Sequence, residues 1–351
     1  MRVCICATQL PFAYGGAEIH VDGLRRALVE RGFDTDVVTL PFSAASRMEL
    51  IKSSLAWRLM RLRPGDGGAE IDLVIATRFP SYLIEHPNKV VWLIHQHRAA
   101  YDLLGTAFSD FTGSREDRRV LQMIRSMDQR TLGEARALYA NSRNTAQRLQ
   151  HFNNLRAEAL YPPPKLDGSY RCDEFGDYLF AVGRLDPLKR FDLLLDAMRH
   201  TSRNVRCLIA GSGPERDRLA ETISRCGLAD RVELLGWIDD ERLVELYAGC
   251  FATYYAPYDE DYGYVTIEAF KSGKAVITAD DSGGVLEFVV DGENGFVCPA
   301  RSPRAIGRRI DELFVDRERA RSLGAAGAAR VRQISWDHVV NTLTGKVQAH
   351  D

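Results

Sequence analysis

A chain of 351 residues is too long for one ordinary core and too short for three, so two α/β domains of about 160–180 residues each are expected. A hydrophobic fraction of 45% with 27% charged residues excludes disorder, collagen and coiled coil as descriptions of the whole chain. Forty-six Lys and Arg against 48 Asp and Glu leave a net charge of -2, which excludes a chain-wide positive field drawing the protein onto nucleic acid.

The first run, 2–7, reads as a strand, and Cys4 and Cys6 alternate within it as small buried residues. The seven cysteines are scattered and none forms a C-x-x-C pair, which fits a reducing, cytoplasmic compartment without structural disulfides. The opening turns polar at Thr8 and Gln9, and no apolar run approaches the roughly 18 residues of a membrane span. Gly15 and Gly16 follow, where the lack of a Cβ lets a phosphate or sugar approach the backbone closely. Ala17, Val21, Leu24 and Leu28 then recur at helical spacing, and Gly32 ends that helix.

Further strands are predicted at 33–40, 71–76, 89–94 and 137–140, with helices between them, so the first half reads as a parallel sheet with helices on both faces. Asp34-Thr35-Asp36 reads as a solvated turn entering the second strand. Segment 47–63 carries five basic residues against Glu49 alone, with Met48, Ile51, Leu55, Leu59 and Leu62 at helical spacing. Two readings stay open: a core helix with solvated charges, or a helix that exposes Trp57 and its basic residues to an anionic membrane surface. His95 stands at the carboxyl end of the 89–94 strand, with His97 and Arg98 as neighbouring candidates.

Three consecutive prolines and a polar stretch bracketed by Gly168 and Gly176 mark 161–176 as a linker. It divides a first domain, 1–160, from a second, 177–334, and the final 335–351 reads as a helix returning to the first domain. Charge differs across the divide, with 21 basic and 17 acidic residues up to position 160 against 25 and 31 after it. In the second half, strands at 178–182, 205–210, 231–235, 250–254 and 275–278 are interleaved with helices near 190–200, 214–226, 239–248, 263–272 and 302–332.

Chemistry concentrates at three strand ends of this second half. Arg184 and Lys189 follow the 178–182 strand, where two cations can neutralise a departing diphosphate at the carboxyl edge of a sheet. Gly211 opens a Gly-x-Gly-Pro turn after the next strand, a phosphate-facing loop without the third glycine of a dinucleotide fingerprint. Glu260 and Glu268 bracket Gly263, so one carboxylate precedes a helix and the other lies inside it. The amides of Gly263, Tyr264 and Val265 would be unpaired at the helix start and face an anion, with the carboxylates accepting from ribose and sugar hydroxyls.

EDYGYVTIEAFKSGKAV (260–276) resembles the E-x-F-G-x-x-x-x-E-A-x-x-x-G-x-P-V signature of the retaining GT-B glycosyltransferases of family four, the group 1 glycosyl transferases, with Tyr262 for Phe and Ala275 for Pro. VGRLDPLKRFDLLLDA (182–197), LIAGSGPERDRL (208–219), VELLGWIDDERLVELY (232–247) and DSGGVLEFVVDGENGFVC (281–298) continue the resemblance through the second half, although Arg190 stands where the family often has Gly. The resemblance implies two Rossmann-like lobes over a cleft, closed by a C-terminal crossover helix. It also implies sugar transfer from a nucleoside-diphosphate sugar to a glycan or lipid-linked acceptor, with retention of configuration, in bacterial glycan or glycolipid synthesis. Arg184 and Lys189 would hold the diphosphate, and the backbone at Gly236 and Ile238 the base. Gly15 and Gly16 would face the donor, and His95 would lie near the transferred sugar. With these cations and a helix start available, Asp259-Glu260-Asp261 needs no divalent ion, and neither a metal nor a cofactor is expected. A sugar-nucleotide epimerase and a catalytically silent nucleotide-sugar sensor remain the alternatives.

Overall fold

The computed structural model describes residues 1–10, 15–62, 70–201 and 205–348, which fall into two compact units, 1–165 with 334–351, and 166–333. The first unit runs β1 (Arg2–Gln9), α1 (Gly16–Glu30), β2 (Asp34–Pro41), α2 (Arg47–Leu59), β3 (Leu73–Ala76), β4 (Lys89–Leu93), α3 (Arg115–Gly133), β5 (Ala137–Ala140), α4 (Arg143–Asn153) and β6 (Glu158–Ala159). Its six strands are all parallel in the order β2-β1-β3-β4-β5-β6, so the chain reverses its direction of growth between β1 and β3. Strand alternation sorts β1 onto two cores. Val3, Ile5 and Ala7 pack with Leu24 and Leu28 of α1, while Cys4 and Cys6 pack with Trp57 of α2 and with Val120 and Ile124 of α3.

The second unit runs β7 (Tyr178–Val182), α5 (Phe191–Met198), β8 (Arg206–Ala210), α6 (Arg216–Arg225), β9 (Val232–Gly236), α7 (Asp240–Gly249), β10 (Ala252–Tyr254), α8 (Tyr264–Lys271), β11 (Val276–Ala279), β12 (Gly295–Cys298), α9 (Pro303–Val315) and α10 (Arg317–Val331). Its strands are again all parallel, in the order β12-β11-β10-β7-β8-β9, which puts the reversal between β7 and β10. The last helix, α11 (Trp336–Gln348), belongs to the first unit, where Val339, Val340 and Leu343 join the core under α1. Gly23 of α1 gives Trp336 its seat, since a Cβ there would lie 2.4 Å from the indole.

Several expectations are corrected. The single helix over 302–332 is two, because the Asp316 side chain accepts from the Arg319 amide at 2.9 Å and starts α10 afresh. β6 and β12 add an edge strand to each sheet. Asp34 and Asp36 are exposed positions of β2 itself, not of a turn before it.

Trp57 is 1% exposed, in the core rather than on the surface, and full burial of so large a side chain contributes roughly 1.5–3 kcal/mol. The charges of α2 are also answered locally. Arg47 pairs with Asp110 and Asp117, Arg58 with Glu85 and Glu134, Arg61 with Glu85, and Lys52 with Glu49. Arg63 lies outside the described residues. What α2 does expose is apolar, with Met48, Leu55 and Leu59 at 57%, 43% and 75%. No helix among the described residues is long and apolar enough to cross a membrane.

Candidate functional site

In open parallel sheets, ligands bind beyond the carboxyl ends of the strands where the strand order reverses. In the second unit that point lies between β7 and β10, and the loops that follow these strands are bound to each other. The loop after β7 makes a 3₁₀ turn at Pro187–Lys189, capped by the Asp186 side chain on the Lys189 amide at 3.3 Å. The Leu188 carbonyl accepts from the Tyr258 amide at 2.8 Å, so the two loops share backbone.

Lys189 reaches across this junction to the Glu260 carboxylate, forming a short ion pair, and its ammonium also donates to the Tyr255 hydroxyl at 3.3 Å. Tyr255 in turn donates to the same Glu260 oxygen at 3.0 Å. Burial opposes the Lys189 charge, but Glu260 and Tyr255 outweigh it and hold the ammonium above its ordinary range. Two of the three ammonium hydrogens are thereby used, which leaves one for a ligand oxygen.

Glu260 is held from behind by main chain. Its amide donates to the Ser282 carbonyl at 3.3 Å, and its carbonyl accepts from the Gly284 amide at 2.7 Å. A Cβ on Gly284 would lie 2.4 Å from the Asp261 carbonyl oxygen, so only glycine allows this approach. The DSGG segment that continues the sequence resemblance is therefore the back wall of the Glu260 loop.

Gly263 begins α8 in the left-handed region, φ 87°, and a Cβ there would meet Val285 at 2.9 Å. Among the described residues the amides of Gly263, Tyr264 and Val265 donate to no backbone carbonyl, which leaves three donors at the positive end of the helix dipole. Glu268, one turn further, is 8% exposed and accepts from the Tyr247 hydroxyl at 2.8 Å. Burial raises its pKa, against the hydrogen bond of Tyr247. Arg184 is exposed and has no partner among the described residues, a cation still available for an anion.

Gly211 follows β8 at φ 129°, and a Cβ there would lie 1.9 Å from the Gly183 carbonyl oxygen. Its amide donates to the Gly236 carbonyl at 2.7 Å, and the Gly183 amide to Ala210 at 3.1 Å, so the ends of β7, β8 and β9 are joined through three glycines. Gly236 has φ 72° with open space around it, and Ile238 follows in the loop after β9, half-buried.

Arg190 was singled out in the sequence only as a departure from a pattern, and it proves to hold the site together. It sits at φ 51°, ψ 45°, a conformation that glycine adopts freely. Its guanidinium pairs with both oxygens of Asp281 at 2.6 and 2.9 Å and donates to the Ala256 and Pro257 carbonyls at 2.8 Å each. A left-handed arginine thus ties the loops after β7, β10 and β11 together.

In the first unit, Gly15 caps α1 with extended backbone, φ -163°, and its amide donates to the Glu18 carboxylate at 3.0 Å. Among the described residues nothing closer than 3.8 Å would meet a Cβ on Gly15; Gly16 is the first residue of α1. His95 follows β4, with its Nδ1 2.8 Å from the Gln96 carbonyl oxygen. A carbonyl only accepts, so Nδ1 carries the hydrogen. His97 instead lies among Phe42, Phe79 and Phe111, where burial pushes its pKa down to about 4, and Arg98 pairs with Asp102 at 2.6 Å. Among the described residues no three His, Cys, Asp or Glu side chains are grouped to hold a metal ion.

The family described as glycosyl transferases group 1 matches residues 167–330, which contain every one of these residues of the second unit. The second lobe is a group 1 glycosyl transferase domain. The chain with this group 1 domain is 34% identical over 172 residues to D-inositol 3-phosphate glycosyltransferase of Nocardia farcinica, covering 46% of this chain and 38% of that one. It is 27% identical over 293 residues to the GDP-mannose-dependent alpha-(1-6)-phosphatidylinositol monomannoside mannosyltransferase of Mycobacterium tuberculosis, covering 79% and 74% of the two chains. The chain spans only 38–53% of the length of three D-inositol 3-phosphate glycosyltransferases that it matches at 31–34% identity. Sucrose-phosphate synthase from Thermosynechococcus elongatus has the same fold, with a TM-score of 0.80 at 19% identity over all of both chains. The fold is GT-B, two Rossmann-like lobes, of which the group 1 domain is the second.

Proposed function

We propose that the protein transfers a sugar from a nucleoside-diphosphate sugar to an acceptor hydroxyl with retention of anomeric configuration. The observation that carries this reading is the Lys189–Glu260 pair beside the unpaired amides of Gly263, Tyr264 and Val265, at the point where the strand order reverses.

In this reading Lys189, Arg184 and the α8 amides bind the diphosphate and stabilise the charge that grows on it as the glycosidic bond breaks. Fixed donors suffice for this, so the transfer needs no metal. Glu260, freed of part of its bond to Lys189 by the incoming phosphate, accepts a hydroxyl of the sugar. Glu268 accepts from the ribose, and the backbone at Gly236 and Ile238 takes the base. Gly211 holds the loops in place. His95 lies against the transferred sugar, and Gly15 and Gly16 leave room for the donor. That no described residue crowds Gly15 supports a role toward a ligand.

Incubation with a panel of nucleoside-diphosphate sugars tests this, with and without D-inositol 3-phosphate and phosphatidylinositol monomannoside, the compounds in the names of the relatives above. Acceptor-dependent release of nucleoside diphosphate is expected. An altered donor without release would favour the epimerase, and binding without turnover the silent sensor.

For the acceptor, the proposal is a glycan or a lipid-linked sugar in bacterial glycan or glycolipid synthesis, reached by an enzyme acting in the cytoplasm at the inner membrane face. The exposed Met48, Leu55 and Leu59 row of α2 supports such peripheral contact, whereas its arginines are largely engaged in ion pairs. Leu55→Asp with Leu59→Asp should therefore reduce flotation with anionic liposomes more than added salt does. Absence of flotation by the unaltered protein at low salt would leave a soluble acceptor as the better reading.

A further inference from the structure

Asp128 of α3 is fully buried in the first lobe and forms no salt bridge among the described residues. One of its oxygens, Oδ2, accepts from the Tyr101 hydroxyl at 2.8 Å and from the Gln96 side-chain amide at 3.1 Å. The same Gln96 amide donates its second hydrogen to Asn153 Oδ1 of α4 at 3.0 Å. Both amide hydrogens are thus spent, and the residue after His95 is pinned to two helices at once. Its carbonyl accepts from the His95 imidazole, at 2.8 Å from Nδ1.

We propose that Asp128 is a positioning residue for His95, anchoring Gln96 and through it the carbonyl that sets the tautomer and direction of the imidazole. This rests on the reading above in which His95 lies against the transferred sugar.

A buried carboxylic acid is a demanding choice for an anchor that a neutral amide could supply. Burial pushes the Asp128 pKa up to about 7, against the hydrogen bonds of Tyr101 and Gln96, so its charge changes near neutrality. The groups that face it are Tyr82 from the 81–83 turn, Tyr101, and the neutral Gln96 and Asn153. Arg125 lies over the Tyr101 ring, 5.6 Å from its centroid, and donates to the Ala100 carbonyl. The ionised form is the stronger acceptor for its two donors. The anchor therefore tightens as pH rises through about 7, and turnover is expected to rise with it.

The other oxygen, Oδ1, is buried without a hydrogen-bond partner, as is the adjacent Tyr82 hydroxyl. An asparagine would keep the accepting oxygen and turn its amide toward Tyr82. Asp128→Asn should thus preserve the anchor while abolishing its titration, whereas Asp128→Ala removes both.

The test joins imidazole 15N NMR of His95 with kinetics. In the unaltered protein the neutral ring should carry its hydrogen on Nδ1. Asp128→Ala should lose that preference and lower kcat about tenfold or more with little change in donor KM, the expected cost of a misdirected group. Asp128→Asn should retain the Nδ1–H signal and most of the turnover, with the rise through pH 7 flattened. Gln96→Leu, which leaves Asp128 in place, should reproduce the alanine variant and guards against a folding defect. An unchanged His95 signal in both Asp128→Ala and Gln96→Leu would overturn the proposal. His95→Ala with unaltered turnover would instead overturn the placement of His95 at the sugar, while the NMR result would still report whether Asp128 holds it.

Discussion

Lys189→Ala is expected to lower turnover at saturating donor by about a hundredfold or more, with the fold intact. Loss of one preorganised donor at a site of developing charge typically costs about 2.7–4 kcal/mol in the transition state, a factor of 10²–10³. Lys189 is more than one donor among several, because its pairing with Glu260 and Tyr255 also sets the carboxylate proposed to face the sugar. The alanine leaves Glu260 without its cation in a half-buried position, so the carboxylate both loses direction and repels the diphosphate. The effect should therefore fall on kcat more than on donor KM. Tyr255→Phe, which removes only the hydroxyl that braces the pair, should cost less than Lys189→Ala. Steady-state kinetics at saturating donor, with thermal unfolding to verify the fold, decides the matter. Unaffected turnover would remove Lys189 from the reaction.

The second large effect is on stability. Gly211→Ala should destabilise the second lobe by roughly 3–5 kcal/mol, near the top of the range for single substitutions. The new methyl would lie 1.9 Å from the Gly183 carbonyl oxygen, a main-chain atom that no rotamer change can move aside. Relief requires the ends of β7 and β8 to separate, which breaks the Gly183–Ala210 and Gly211–Gly236 hydrogen bonds, each worth about 1 kcal/mol, and adds strain at φ 129°. Gly236→Ala is the matched control. Its φ of 72° is also unfavourable, but no described residue stands within 4 Å of the new Cβ, so about 1 kcal/mol is expected. Calorimetry should place the Gly211 variant about 6–20 °C below the parent, at 2–4 °C per kcal/mol for a domain of this size, and the Gly236 variant only about 2–4 °C below. Equal shifts would mean that backbone conformation, not the close approach of β7 and β8, explains the glycine.

Much of this protein was legible in its sequence because the signals are local. Alternating strand and helix periods mark a parallel sheet in each half. Gly263 between two glutamates eight apart marks a helix start flanked by carboxylates, and Arg184 and Lys189 follow directly from a strand end. Each is a matter of spacing within about a dozen residues, which backbone geometry converts into position.

Other features depended on tertiary structure because their partners are far apart in the chain. Nothing near residue 190 shows that its arginine would adopt a left-handed backbone and bind Asp281, 91 positions away. Trp57 and the basic residues of α2 look alike on a core helix and on a membrane helix. Only the carboxylates of Glu85, Asp110, Asp117 and Glu134, brought in from other elements, decide how much positive charge the helix displays. Asp128 reads as an ordinary polar residue of an amphipathic helix until Tyr101, Gln96 and Asn153 close around it. Periodicity specifies which face of an element is buried, but the charge, tautomer and orientation of a side chain depend on what packs against it, and that is set by the strand order.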